Sequence, residues 1–113
     1  MFYPEGHLRV WLCTQATDMR KSFNGLSTLV KRQLDEAPVS GQLFVFVNRR
    51  KTQMKILYFD RSGYCIWSKK LVQGQFNFQE SDAGKRPLTP VQLKLLLEGI
   101  EIKKMRQYKH FAR

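Results

Sequence analysis

Three runs of strand-forming residues lie between positions 40 and 71, and they are the clearest pattern in the chain. The runs cover residues 42–47, 54–59 and 64–71, and each is rich in β-branched and aromatic side chains. Two short polar connections, residues 48–52 and residues 60–63, separate them. Because short loops join strands that are antiparallel neighbours, the pattern predicts a three-stranded β-meander.

Apolar residues with helical spacing occur on both sides of this meander. Residues 19–34 carry them at intervals of three and four, and Asp18 is the predicted N-cap of that helix. Thr89 and Gln92 form a capping box ahead of a second apolar stripe, and Gly99 is placed to end that helix in a left-handed turn. The chain therefore predicts one amphipathic helix before the meander and one after it.

Weaker patterns fill the remaining segments. Residues 7–13 alternate as a half-buried strand, residues 72–78 indicate a turn into a short edge strand, and residues 80–87 indicate a polar surface loop. The predicted fold is α+β, with an antiparallel sheet of four to five strands and two flanking helices. It forms one domain over residues 1–100, followed by a basic C-terminal tail over residues 101–113. The residues expected to be most buried are Leu8, Val10, Leu12, Phe23, Leu26, Val45, Ile56 and Ile66.

The meander carries apolar side chains on both of its faces. Phe44 and Phe46 alternate with Val45, so they point to opposite sides of the sheet. If the helices pack on one face, the other face needs cover from another element, a partner or nucleic acid. Self-association is the simplest cover for such a patch, so we expect a homo-oligomer.

The charge balance indicates that this small domain has a polyanionic partner. The 113 residues hold 20 Lys and Arg against 9 Asp and Glu, for a net charge of +11. For a charge of this size on so short a chain, nucleic acid is favoured over a membrane as the partner. No stretch approaches the ~18 apolar residues of a bilayer span. The N-terminus also lacks the order of a secretory signal, so we expect a cytoplasmic protein. The alternative is a basic protein that charge merely keeps soluble.

The candidate DNA contacts are cations on the meander, on its first turn and in the tail. They are Arg49, Arg50 and Lys51 at the turn, Lys55, Lys69 and Lys70 on the strands, and Lys103, Lys104 and Arg106 in the tail. Four cations of the first helical region, Arg20, Lys21, Lys31 and Arg32, are open between phosphate contact and simple solvation. Trp11 and Trp67 are open between base stacking and core packing.

Residues suited to catalysis or metal binding are few and scattered. Cys13 and Cys65 both fall in predicted strands, where a free thiol behaves as a small apolar group, and we expect no disulfide. His7 and His110 lie far from them in sequence, so no spacing typical of a zinc site is present. The nine carboxylates show no arrangement for a two-metal centre. We therefore expect no metal, no cofactor and no enzymatic activity.

Three blocks of the sequence resemble a known family. They cover residues 9–26, 41–76 and 88–100, and they contain the step Asp18-Met19-Arg20-Lys21, the pair Arg49-Arg50 and the turn Phe59-Asp60-x-x-Gly63. The chain is similar to the small accessory protein, often labelled TnpB, encoded by the second open reading frame of IS66-type bacterial insertion sequences. Tyr58 stands where Trp is common in that family, and Asn24 where Asp is common. The resemblance implies help in transposition beside a separate transposase that supplies the catalytic chemistry.

Two functional hypotheses follow from these observations. In the first, the protein is a DNA-binding accessory module that contacts phosphates through the basic hairpin and the tail. In the second, it is a protein-interaction module that docks the transposase or a second copy of itself without binding DNA directly. Steep salt dependence of DNA binding by the isolated protein distinguishes the first from the second.

Overall fold

The computed structural model of the chain describes residues 9–79 and 83–99. They form a five-stranded sheet with two helices, which confirms the α+β fold. The strands are β1 (Val10–Cys13), β2 (Leu43–Val47), β3 (Gln53–Asp60), β4 (Gly63–Lys70) and β5 (Lys85–Leu88). The helices are α1 (Phe23–Arg32), between β1 and β2, and α2 (Pro90–Leu97), after β5. Across the sheet the strand order is β4-β3-β2-β1-β5.

The predicted meander is β2, β3 and β4, and both of its turns are antiparallel hairpins. In the second turn Asp60 pairs with Gly63, and the left-handed backbone conformation is taken by Arg61 (φ 53°), where we expected it at Gly63. The sheet as a whole is mixed, because β1 runs parallel to β2 with Val10 opposite Leu43. That parallel pair corrects the prediction of a purely antiparallel sheet. It is possible because the connection between the two strands contains α1, which carries the chain back to the starting end of β2.

Each face of the sheet has its own helix. Alternate side chains of the strands form two apolar clusters, one under each helix. The cluster under α1 is Cys13, Leu26, Val30, Leu34, Phe44, Phe46 and Leu57. The cluster under α2 is Val10, Leu12, Leu43, Val45, Val47, Met54, Ile56, Phe76, Leu93, Leu96 and Leu97. The chain itself therefore covers the second face. Within the described residues, neither face of the sheet is left uncovered, so the reason for which we expected self-association is not present.

α1 begins four residues later than the sequence predicts. Its N-cap is Ser22, whose side chain makes no capping bond, whereas the Asp18 carboxylate accepts a hydrogen bond from the backbone N–H of Arg20 in a separate turn. As a result Phe23 falls on the outer side of the first turn and is 45% exposed, so its predicted burial is wrong. The later positions of the predicted apolar stripe, Leu26 and Val30, are fully buried.

The segment after β4 departs from the prediction in two places. Residues 72–78 form no strand; instead they cross the α2 face as irregular chain with Phe76 fully buried in the cluster. The predicted loop at residues 80–87 contains the start of β5, which pairs with β1 in antiparallel register. Pro87 fits this position because β5 is an edge strand, where a residue without an N–H is tolerated.

The other local predictions are confirmed where the structure describes the residues. Thr89 and Gln92 form the reciprocal capping box, and Gly99 has the left-handed backbone (φ 75°) that ends α2. Five of the predicted core residues are fully buried: Val10, Leu12, Leu26, Val45 and Ile56. Ile66 is only half-buried because β4 is an edge strand, and Leu8 lies outside the described residues.

Candidate nucleic-acid interface

The turn between β2 and β3 is closed by its own first residue. The Asn48 Oδ1 atom accepts hydrogen bonds from the backbone N–H groups of Thr52 (2.9 Å) and Gln53 (3.0 Å). The Asn48 carbonyl accepts a third, from the N–H of Lys51, which adopts a left-handed backbone (φ 61°). These bonds fix the backbone of the turn, so its exposed side chains are presented from a defined position.

Arg49 and Arg50 are the exposed residues of this turn. Within residues 9–79 and 83–99, neither guanidinium has a hydrogen-bond or ion-pair partner. The backbone carbonyl of Arg50 accepts a hydrogen bond from Gln75 Nε2 (2.8 Å), which braces the turn from the α2 side. Within the described residues, the guanidinium groups of Arg49 and Arg50 therefore keep all of their hydrogen-bond donors exposed.

A second arginine-bearing loop lies beside the turn. The backbone N–H of Thr17 donates to the carbonyl of Val47 (2.9 Å), which ties the loop after β1 to the end of β2. In that loop the Arg20 guanidinium donates to both oxygens of Asp18, with its Nη2 atom 2.6 Å from Oδ2. The hydrogen bonds from Arg20 lower the pKa of Asp18 to about 2, so the carboxylate is ionised at neutral pH.

The turn and the loop line a shallow groove of about 520 Å³ that is largely open to solvent. It is lined by Thr17, Asp18, Met19, Arg20, Asn48, Arg49, Arg50 and Gln53. Three arginines against one aspartate give this lining a net charge of +2. The groove joins two motifs that are about thirty residues apart in the sequence, the step at residues 18–21 and the arginine pair at residues 49–50.

Two of the predicted lysines lie near this groove. Lys55 is on the α1 face of β3, and its ammonium group donates to the backbone carbonyl of Lys21 (2.8 Å), at the start of the α1 region. Lys70 is exposed at the end of β4 directly opposite Gln53, a residue of the groove. Both add positive charge to the same end of the sheet.

The remaining predicted cations do not lie together with them. Lys51 turns toward the α2 face, where its ammonium group is 4.5 Å from the centre of the Phe78 ring. Lys69 also points to the α2 face and donates to the Leu97 carbonyl at the end of α2 (2.6 Å). Lys103, Lys104 and Arg106 of the predicted tail lie outside the described residues.

Both tryptophans are partly buried in the domain. Trp11 donates from its indole N–H to Gln42 Oε1 (2.8 Å), and its ring lies beside the charged groups of Arg9 and Lys85. Trp67 packs against the cluster under α2. The positions favour the core-packing alternative over base stacking for each of them.

From the sequence, Asp18 is predicted to be a helix N-cap, and Arg20 is open between phosphate contact and simple solvation. The structure pairs these two residues at the edge of the groove, where Arg20 is 91% exposed. The spacing Asp-x-Arg was the available signal, since an aspartate side chain often accepts from a backbone N–H two residues later. Nothing in the sequence indicated that this pair faces the turn after β2.

The described residues contain no group of three His, Cys, Asp or Glu side chains close enough to hold a metal ion. Cys13 is buried in β1, where burial raises the pKa of its thiol, and Cys65 lies on β4 at the other side of β3 and β2. Neither helix in this part of the chain has the length and hydrophobicity needed to cross a bilayer.

The fold and the groove together define a small basic domain built on a β1-α1-β2 unit, with arginines at the carboxyl ends of its parallel strands. The chain belongs to the family described as IS66 Orf2 like protein, whose model matches residues 8–107. That family consists of accessory proteins of insertion sequences, so the recognition made from the three sequence blocks is confirmed.

Two relatives come from Sinorhizobium fredii (strain NBRC 101917 / NGR234). The uncharacterized protein y4hO is 37% identical over 99 residues, which are 87% of this chain and 86% of the relative. The uncharacterized protein y4jC is 34% identical over 101 residues, or 89% of this chain and 86% of that one. No solved structure matches the chain.

Proposed function

We propose that the protein is a non-catalytic accessory factor of DNA transposition that binds the DNA backbone through the turn between β2 and β3. The observation that carries the proposal is the pair Arg49 and Arg50, which is exposed on a turn whose backbone is fixed. Their guanidinium groups have no partner among the described residues. Arginine is well suited to phosphate because its guanidinium donates several hydrogen bonds in one plane. A fixed turn also loses little entropy when it binds.

The positions of the other cations refine this proposal. Lys55 and Lys70 lie on the same side of the sheet as the groove, so they extend the positive surface. Lys51 and Lys69 are directed to the α2 face, which is not the face on which Lys55 lies. We therefore assign the main phosphate contacts to Arg49 and Arg50, with secondary contributions from Lys55, Lys70 and the basic residues of the tail.

The experiment measures DNA affinity against salt concentration for the wild-type protein and the double variant R49Q/R50Q. Each lost phosphate contact flattens the plot of log K against log salt by about 0.9 unit, so the double variant is expected to lose roughly 1.8 units. The matched control is K31Q/R32Q, which removes the same charge from exposed residues in the last turn of α1. Equal slopes for the two double variants would refute the assignment to the turn.

The second candidate function is docking of the transposase of the same element, or of a second copy of this chain. The observation in its favour is β4, an eight-residue strand that has a neighbouring strand on one side only among the residues that the structure describes. The free edge of such a strand can pair with another chain. Analytical ultracentrifugation of the protein alone and with the transposase tests this candidate. A monomer that leaves the transposase unbound, together with steeply salt-dependent DNA binding, would exclude it.

A further inference from the structure

The groove between residues 17–20 and 48–53 lies where the parallel unit of the sheet ends. β1 and β2 run in the same direction, and the loop after β1 and the turn after β2 both leave from their carboxyl ends. In open α/β arrangements ligands bind in the crevice outside the carboxyl ends of parallel strands. The antiparallel sheet expected from the sequence would not have brought these two segments together, so this location follows from the parallel pairing.

The side chains that line the groove give it a net positive charge, which suits an anion. Its charged side chains are Arg20, Arg49, Arg50 and Asp18, and Met19 is its one apolar lining residue. The Gln53 amide adds a neutral donor on the β3 side. The net charge of +2 matches an occupant with one or two negative charges.

Arg20 is held in a defined orientation at one wall of the groove. The Asp18 carboxylate engages the Nε and Nη2 atoms of Arg20, and within the described chain Nη1 has no hydrogen-bond partner. A guanidinium fixed through one edge keeps its remaining N–H groups available for a second anion. Arg49 and Arg50 line the same groove from the turn after β2.

We propose that this groove is a phosphate-binding site in which Arg20, positioned by Asp18, acts together with Arg49 and Arg50 on the same phosphate group of DNA. The inference rests on the proposed function, because it identifies the part of the protein that DNA would enter. The phosphate is either the terminal phosphate of a DNA end or an internal phosphodiester. Both have the oxygen acceptors that a cluster of guanidinium groups recognises.

The experiment is a mutant cycle measured by fluorescence polarisation with a short duplex at constant salt. The variants are R20Q, R49Q/R50Q and the triple combination, each checked for folding by its amide NMR spectrum. Losing a charge-assisted hydrogen bond is expected to weaken binding by about 10-fold for R20Q. Substitutions of residues that share one ligand do not have additive effects on the binding free energy. The fold-loss of affinity in the triple variant should therefore be at least ~3-fold smaller than the product of the losses in R20Q and R49Q/R50Q.

The control is R61Q, which removes one exposed arginine from the turn between β3 and β4. That turn is at the opposite end of the eight-residue strand β3, about 26 Å from the groove at 3.3 Å per residue. We expect R61Q to change affinity by less than ~3-fold, as a distant charge is screened by salt. If R20Q weakens binding no more than R61Q, or if the losses simply multiply, the groove inference is overturned.

The two sources of phosphate are separated by comparing duplexes with 5′-phosphate and 5′-hydroxyl ends. A preference for the 5′-phosphate that R20Q abolishes indicates a terminal phosphate, and equal binding of both duplexes with a loss in R20Q indicates an internal phosphodiester. Both results support the inference. If R49Q/R50Q weakens binding and R20Q does not, DNA binding through the turn is supported and the groove inference is refuted. If the wild-type protein binds neither duplex, the proposed function and the groove inference are both refuted.

The positioning role of Asp18 has its own test. The variant D18N removes a negative charge from the groove, so charge alone would make DNA binding tighter. Loss of the carboxylate that orients Arg20 would make it weaker, and we expect this second effect to dominate with a several-fold loss. Tighter binding by D18N would overturn the role that we assign to Asp18.

Discussion

The irregular segment after β4 should be as important for stability as the helices, and Phe76 is the residue that tests this. Its ring is fully buried in the cluster under α2, although no strand or helix contains it. Replacing a buried Phe by Ala removes its transfer free energy and leaves a cavity, at a cost of about 3–5 kcal/mol. Single domains are stable by roughly 5–15 kcal/mol, so F76A should lose a large part of the total.

Substitution of Phe76 should also disturb the candidate site. The backbone N–H of Phe76 donates to the Lys51 carbonyl (2.7 Å), and the Leu71 N–H donates to the Thr52 carbonyl (2.8 Å), so this segment holds the base of the turn between β2 and β3. We therefore expect the amide signals of residues 48–53 to shift or broaden in F76L, a milder variant that keeps the domain folded. DNA affinity should fall in parallel with that broadening.

The assay is urea denaturation followed by circular dichroism, with the free energy of unfolding extrapolated to water. V72A is the matched control, since Val72 belongs to the same segment and its side chain is fully exposed. It should change the free energy of unfolding by less than ~0.5 kcal/mol, as exposed substitutions usually do. A loss below ~1 kcal/mol in F76A would refute the packing argument, because it would mean that this segment contributes little to the core.

Two ion pairs give further predictions. The pKa of Asp18, measured by carboxyl carbon NMR, should be about 2 in the wild-type protein, because the hydrogen bonds from Arg20 lower it. In R20Q it should return toward 3.8. An unchanged pKa in R20Q would contradict the pairing. Since the folded-state pKa is depressed, the stability that the pair supplies is present above pH ~4 and is lost as the pH falls toward 2. Glu36 accepts from Lys85 (2.6 Å), which is the main cause of its lowered pKa. Both side chains are partly exposed, Lys85 by 26% and Glu36 by 20%. E36Q should cost about 1 kcal/mol at pH 7 in the same urea assay, and this cost should shrink below pH 4.5; equal stability of E36Q and wild type at pH 7 would show that the pair contributes nothing.

Local patterns were sufficient for most of the secondary structure. The capping box at Thr89, the left-handed Gly99 and the two hairpins depend on residues close together in sequence, and all were predicted. Phe23 was misplaced because a periodic apolar pattern does not indicate at which residue a helix starts. The bond from the Arg20 N–H to Asp18 takes the carboxylate away from α1.

The candidate site was predicted only in part. The exposure of Arg49 and Arg50 follows from a polar connection between two strands, which the sequence displays. The directions of Lys51 and Lys69 depend on the face of the sheet to which each side chain points, and on the segment or helix that covers that face. Arg20 could not be assigned, because its neighbour across the groove is about thirty residues away in the chain.

By itself, the sequence determined the family, the strongly basic charge and the elements whose signals are local. The tertiary structure decided that β1 pairs in parallel with β2, that β5 closes the far edge, and that each face of the sheet has its own helix. Strand pairing between distant segments depends on the burial of both faces at once, and that is a property of the whole chain. The same parallel pairing places the loop of Asp18 and Arg20 beside the arginine turn, and this is why the groove is visible only in the folded protein.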